Sequence, residues 1–169
     1  PPLSQKQTSS AGVTTKLLAQ KANRICVAYE GMEKFFPADK ILLTGNPVRQ
    51  TLLNDPMTRE EAAHAFSLDP KCKTILILGG SLGARTINQT LTAGLPLIKA
   101  HPEVQFIWQT GKIYIEQVKA AITAFTGEAI RNARASSLPN LYVTDFIKNM
   151  NSAYTLADLV ISRAGAGSI

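Results

Sequence analysis

Cysteine, histidine and tryptophan are scarce in this chain, which has two, two and one of them among 169 residues. Cys26 lies in an apolar run and Cys72 between two lysines. Neither has metal-ligand spacing or the paired pattern of a secreted disulfide framework, so both read as reduced thiols of a cytoplasmic protein. His64 and His101 have no second ligand at i+4, which points to surface or helix-end roles and to no metal site. No run approaches the roughly 18 apolar residues needed to cross a bilayer. The start, Pro1-Pro2-Leu3-Ser4, lacks the charged and apolar regions of a signal peptide. There is no internal repeat, no run of Lys and Arg, and no set of aromatics interleaved with basic residues, so nucleic acid is not an expected partner. What remains is 45% apolar, 18% charged and contains 11 glycines, the make-up of a globular protein. A chain this long can bury about two-thirds of its unfolded surface.

Charge narrows the partners. Eighteen basic residues against 12 acidic ones give a net charge of +6, which suits an anionic small substrate or an anionic lipid surface. Seven of the basic residues precede residue 50, against Glu30, Glu33 and Asp39. Held near an anionic bilayer, each would contribute about 1 kcal/mol; a solvated basic face is the plainer reading of any single lysine.

Hydrophobic periodicity predicts a helix over 11–23 with Val13, Leu17, Leu18 and Ala22 as its apolar face, then strands at 25–29 and 41–44. Gly45-Asn46-Pro47 closes the second strand, because proline denies helix to the residue before it. Thr58-Arg59-Glu60-Glu61 matches a capping box that starts a short helix carrying Ala62, Ala63 and Phe66. From Thr74 the pattern is regular: strand 74–78, glycine turn 79–83, helix 84–95, strand 104–109, helix 113–125, strand 141–143, helix 149–157 and strand 159–162. Asn132 to Pro139 reads as an exposed connection. Apolar strands without alternation, separated by helices, mean a parallel sheet covered on both faces, so the fold class is α/β with Rossmann-like sheets. Ser168-Ile169 stops where a helix should begin, which implies a chain truncated from a longer one. The corner at 45–47 implies a boundary there, with residues 1–48 ending one domain and 49–169 forming part of another.

In such a sheet a ligand binds beyond the carboxyl ends of the strands, where helix N-termini favour negative charge. Gly79-Gly80-Ser81-Leu82-Gly83-Ala84-Arg85 has the form of a phosphate-binding turn, with Ser81 as a hydroxyl donor. A plain turn whose glycines only permit tight packing is the other reading. A second glycine loop, Gly165-Ala166-Gly167-Ser168, follows another strand. A Walker loop is excluded because Gly83-Ala84-Arg85 stands where Gly-Lys-Ser/Thr is required. A nicotinamide cofactor is excluded because the second strand ends in Gln109-Thr110-Gly111, without an acidic residue for the ribose. Asp145 is a candidate base or, preferably, the cap of the following helix. Arg49 suits either a phosphate or a rim salt bridge. Trp108, Phe35 and Phe36 read as core.

Several strings acquire meaning together. Ala11-Gly12-Val13-Thr14-Thr15-Lys16, Gly45-Asn46-Pro47-Val48-Arg49, the 79–85 turn, Trp108-Gln109-Thr110-Gly111, Thr144-Asp145-Phe146-Ile147 and Ser162-Arg163-Ala164-Gly165-Ala166 follow the order and spacing of the MurG family. The chain resembles those bacterial N-acetylglucosaminyltransferases over almost its whole length. The resemblance implies two Rossmann-like domains of the glycosyltransferase B type, inverting transfer from UDP-N-acetylglucosamine to lipid I to give lipid II for peptidoglycan synthesis, and no cofactor or obligatory metal. It also implies a peripheral place on the anionic cytoplasmic face of the bacterial inner membrane. It makes Arg49 and Ser81 donor-site contacts with Gly80 beside them, gives the backbone of Ile147 the uracil, and sets Phe146 and Ala166 in the same pocket. Two other readings share these features, a nucleotide-sugar epimerase of the same architecture and a non-catalytic nucleotide-sugar-binding subunit. Where the family has His-Glu-Gln-Asn, this chain has Gln5-Lys6-Gln7-Thr8, which removes an expected asparagine contact. No general base is assigned within the chain, and the chain alone is expected not to complete the reaction.

Overall fold

The computed structural model describes residues 2–46 and 57–165, which fall into two compact units, each built on a parallel sheet. In the first unit β1 (Leu3–Lys6), β2 (Arg24–Val27) and β3 (Ile41–Leu43) pair in that order. Parallel neighbours require a crossover: α1 (Val13–Lys21) joins β1 to β2, and two 3-10 turns, Met32–Lys34 and Ala38–Lys40, lie between β2 and β3. Ala19, Ala22, Ile25, Val27, Met32 and Phe36 form this unit's core.

Of the apolar face predicted for the first helix only Ala22 is buried. Val13, Leu17 and Leu18 are 76%, 59% and 58% exposed, whereas Ala19 and Ala22 are buried against Ile25 and Val27. Residues 19 and 22 share one side of a helix, and 13 and 17 fall on the opposite side at 100° per residue. Periodicity marks a stripe but does not say which stripe meets the sheet.

The second unit comprises α2 (Arg59–Phe66), β4 (Lys73–Leu78), α3 (Arg85–Ala93), α4 (Leu95–Ala100), β5 (Val104–Gln109), α5 (Ile115–Thr126), β6 (Leu141–Thr144), α6 (Met150–Leu156) and β7 (Leu159–Ser162). Its strand order is β6-β5-β4-β7, all parallel. Successive side chains of a strand point to opposite faces, and both faces of the central pair are apolar. Ile77 and Trp108 enter a core with Leu95, Ile98, Val118 and Ile122 from α4 and α5. Leu76 and Ile107 enter a second core with Ala62, Ala63 and Phe66 of α2 and Ala153 and Leu156 of α6. Helices on two sides explain why these strands show no polar alternation. β7 departs from that expectation: at the sheet margin, its Leu159, Val160 and Ile161 stay exposed among the described residues.

Local chemistry sets the element ends. The capping box is formed as expected: Thr58 Oγ1 accepts from Glu61 N at 3.2 Å and Thr58 N donates to Glu61 Oε2 at 2.9 Å. The Thr58 amide, and its hydroxyl at 3.1 Å, donate to the Glu61 carboxylate and hold it below its ordinary pKa. The helix expected over 84–95 instead ends at Ala93 and resumes at Leu95, because Pro96, in the first turn of α4, has no N–H to continue the ladder. The connection at 132–139 is not merely exposed. Ala135 and Leu138 are buried in the first core, and Val143 N donates to Ala133 O at 2.8 Å, so this segment covers the outer edge of β6.

Candidate functional site at the carboxyl edge of the second sheet

All four strands of the second sheet end at one edge. The chain runs outward from β4 to β5 and β6 and then returns to β7 on the other side of β4. The strand order therefore reverses beside β4, the place where open α/β sheets form a ligand crevice. The turn after β4 leads from this point into α3. Leu78 pairs in register with Ser162, so Arg163 leaves β7 at the same edge.

The glycines of the first turn do different things. A Cβ at Gly79 would lie 2.9 Å from Gln109 O, and one at Gly83 would lie 2.5 Å from both Thr110 O and a Tyr114 ring carbon. Gly111 in the neighbouring turn is tighter still: a Cβ there would be 2.2 Å from Gly83 N. These three glycines let two strand-to-helix turns pack backbone against backbone. Gly80 shares a left-handed φ (+78°) with Gly83 and Gly111 but has open space around its absent Cβ, so its need is conformational alone. The packing reading of the turn applies to Gly79 and Gly83. Gly80, Ser81 and Leu82 form the exposed part of it.

Hydrogen bonds link the three turns across the edge. Lys112 N donates to Ser81 O at 3.3 Å, and Gly111 N to Asp145 O at 3.2 Å. Beneath them Trp108 Nε1 donates to Asn88 Oδ1, and Asn88 Nδ2 donates to Thr110 O, each at 2.9 Å. Thr110 Oγ1 donates to nearby carbonyls, Gly111 O at 3.1 Å and Thr144 O at 3.3 Å. Asn88, Trp108 and Thr110 are buried.

Electrostatics favour an anion here. Helix α3 has Ala84 at its N-cap, without a side-chain cap and without an acidic residue in the first turn. Its first amides therefore lack the usual partners, and their partial positive charge is uncompensated. The described turns and helix starts at this edge carry Arg85, Lys112, Lys148 and Arg163 against Asp145 and Glu116, the latter paired with Lys119 at 3.0 Å.

Phe146 and Ile147 lie in the turn after β6, at the same edge as Gly80 and Ser81 with the Thr110-Gly111 turn between them. The Ile147 side chain is buried in the second core, while Phe146 is about half exposed. A pocket of about 410 Å³ lies beside them, lined in part by Phe66, Tyr142, Thr144 and Asn149. Burial pushes the Tyr142 phenol up, which keeps it protonated. Asp145 does not cap the next helix: Asn149 does, its side chain accepting from Ser152 N at 3.3 Å. Five residues separate β6 from α6, which puts Asp145 four positions ahead of the N-cap. Arg49 and Ala166 lie outside the described residues, as does most of the second glycine loop. His64 is exposed on α2, and His101 Nδ1 lies 2.9 Å from Glu103 Oε1 at the surface. Sequence reasoning left out Asn88 and Thr110, which hold the turns together; only the glycine of Gln109-Thr110-Gly111 hinted at the close approach.

Comparison with known proteins agrees with this geometry. Residues 74–169 match the glycosyltransferase family 28 C-terminal domain. Over all 169 residues the chain is 66% identical to a protein of Bacteroides fragilis (strain YCH46) and 63% identical to one of Bacteroides thetaiotaomicron. Both bear the name UDP-N-acetylglucosamine--N-acetylmuramyl-(pentapeptide) pyrophosphoryl-undecaprenol N-acetylglucosamine transferase. The chain spans 42% and 43% of their respective lengths. Among solved structures it is similar to MurG of Acinetobacter baumannii, with a TM-score of 0.53 and 30% identity over 99% of this chain and 41% of that one. The parallel Rossmann-like sheets are thus of the glycosyltransferase B type.

Proposed function

The chain belongs to glycosyltransferase family 28 by its C-terminal domain, and from that premise we propose that it supplies the donor-binding part of a longer transferase. The reaction is inverting transfer of N-acetylglucosamine from UDP-N-acetylglucosamine to the undecaprenyl-pyrophosphoryl acceptor lipid I, giving lipid II for peptidoglycan synthesis. Residues 49–169 belong to the donor domain and residues 1–48 end the acceptor-side domain. The enzyme works as a peripheral protein at the anionic cytoplasmic face of the inner membrane, where its acceptor resides.

One observation carries this reading: at the switch point, the open Gly80-Ser81 backbone leads into a helix whose first amides have no cap. The diphosphate lies across that turn, with the Ser81 hydroxyl and the α3 amides as donors. Uracil lies over the turn after β6, where the core-anchored Ile147 offers only backbone and Phe146 offers a ring face. β4 and β6 are two strand spacings apart, about 10 Å, a distance that a nucleoside diphosphate can bridge. Arg49 and Ala166 are assigned to the donor on the strength of the family motifs alone. As the glycosidic bond breaks, negative charge grows on the departing UDP, and fixed donors aimed at it lower the barrier without reorganising. Calorimetry of UDP with the longer protein containing this segment should give a saturable isotherm that UDP-N-acetylglucosamine displaces. Absence of any UDP uptake overturns the reading.

A further inference from the structure

The structure assigns to Asn88 a role that its burial conceals: we infer that it is a positioning residue, fixing α3 so that the phosphate-binding turn keeps its aim. The inference rests on the proposed donor site. Asn88 sits in the first turn of α3, is 3% exposed, and has both ends of its carboxamide engaged. Oδ1 accepts from the indole of Trp108, which has no exposed surface and is anchored in β5, and Nδ2 donates to Thr110 O. The same Thr110 carbonyl forms the wall against which Gly83 packs. One side chain thus ties the helix start, the central strand and the floor of the turn. It does so three residues after Arg85, within the turn of helix whose free amides would meet the diphosphate.

The chemistry requires an amide. A partner is needed that accepts on one side, from an N–H, and donates on the other, to a carbonyl. Aspartate has the same size and would turn a carboxylate oxygen towards the Thr110 carbonyl; leucine would leave the indole N–H and that carbonyl unpaired. Either change lets α3 turn or rise, and the loss appears in affinity for a ligand that Asn88 never touches.

The test uses the longer protein. Asn88→Ala and Asn88→Asp should weaken UDP binding about tenfold or more and raise KM for the sugar nucleotide, with KM for the lipid acceptor within twofold of the parent. Trp108→Phe, which removes only the indole donor, should shift UDP affinity in the same direction by a smaller factor. Combined with Asn88→Ala it should add little further loss, because both changes break one relay. Should the Asn88 variants fail to fold, the Trp108→Phe affinity still decides. Parental UDP affinity in folded variants overturns the role, as does an equal rise in both KM values, which marks general damage. If the parent itself takes up no UDP, the donor-site reading has failed, a result distinct from either of these.

Discussion

At Gly111 an added methyl would meet the Gly83 nitrogen at 2.2 Å and its Cα at 2.4 Å, contacts that no side-chain rotation relieves because both atoms are backbone. Gly111→Ala should therefore force the two turns apart and cost about 2–4 kcal/mol in urea unfolding of the longer protein. Gly80→Ala adds a side chain into open space at φ +78° and should cost only the left-handed conformational penalty, about 1–2 kcal/mol. Equal destabilisation by the two would mean that the packing of the turns is not what the glycines serve. Ser81 is exposed, so Ser81→Ala should leave stability within about 0.5 kcal/mol. It removes a hydroxyl donor to a charged oxygen, and UDP affinity should fall about tenfold or more. Parental affinity in that variant would remove Ser81 from the donor site.

Elements are pinned at their ends by polar groups on the side of the sheet opposite the site. Asp158, just before β7, accepts from Arg59 of α2 and Lys73 of β4, each at 2.8 Å, and from Thr74 N at 2.9 Å. The Lys73 ammonium, the Thr74 amide and the Arg59 guanidinium hold its carboxyl far below the ordinary aspartate range. A depressed folded-state pKa means that this stabilisation is complete above the unfolded pKa, about 4, and is lost as pH falls towards the folded one. Exposure screens the pair energies, so Asp158→Asn should cost about 1 kcal/mol at pH 7, and the gap between variant and parent should narrow steadily below about pH 4. A gap that stays constant from neutral to acid pH would exclude ionisation of Asp158 as its source. Thr58→Ala should remove the cap of α2 at about 1 kcal/mol in urea unfolding, most of which persists at acid pH because the bond from Glu61 N to the Thr58 hydroxyl needs no ionised group.

These elements differ in how legible they were in the sequence. The Thr58 box and the strands from 73 to 162 were readable because capping and apolar runs are local signals. The break at Gly94 follows from Pro96, two residues on, yet the apolar pattern runs through it. The orientation of α1 was readable only at Ala22, because alanines rather than the larger Val13, Leu17 and Leu18 decide which side approaches the sheet. At the site, glycines and a serine after a strand announced the turn. Asn88 carried no signal, because its meaning depends on Trp108 and Thr110, 20 and 22 residues away.

Over the whole molecule a net charge of +6 says little until its distribution is known. On the second unit, the described turns and helix starts at the carboxyl edge set Arg85, Lys112, Lys148 and Arg163 against Asp145 and Glu116. The carboxylates of Asp69, Glu103, Glu128 and Asp158 are placed before strands or far from this edge, where they pair with local donors. The proposed site thus has a positive rim of exposed side chains around a less exposed set of helix amides. Salt separates the two contributions: mobile ions screen exposed charges over about 10 Å at 0.1 M and about 3 Å at 1 M, and close hydrogen bonds much less. UDP affinity of the longer protein should accordingly fall several-fold between about 0.05 and 0.5 M sodium chloride and then level off rather than vanish. Lys112→Gln should lower the affinity at low salt and flatten its salt dependence, while Asn88→Asp should lower it at every salt concentration. An affinity indifferent to salt in the parent would place the diphosphate away from this rim, and a Lys112→Gln curve parallel to the parent's would remove that lysine from the field the ligand feels.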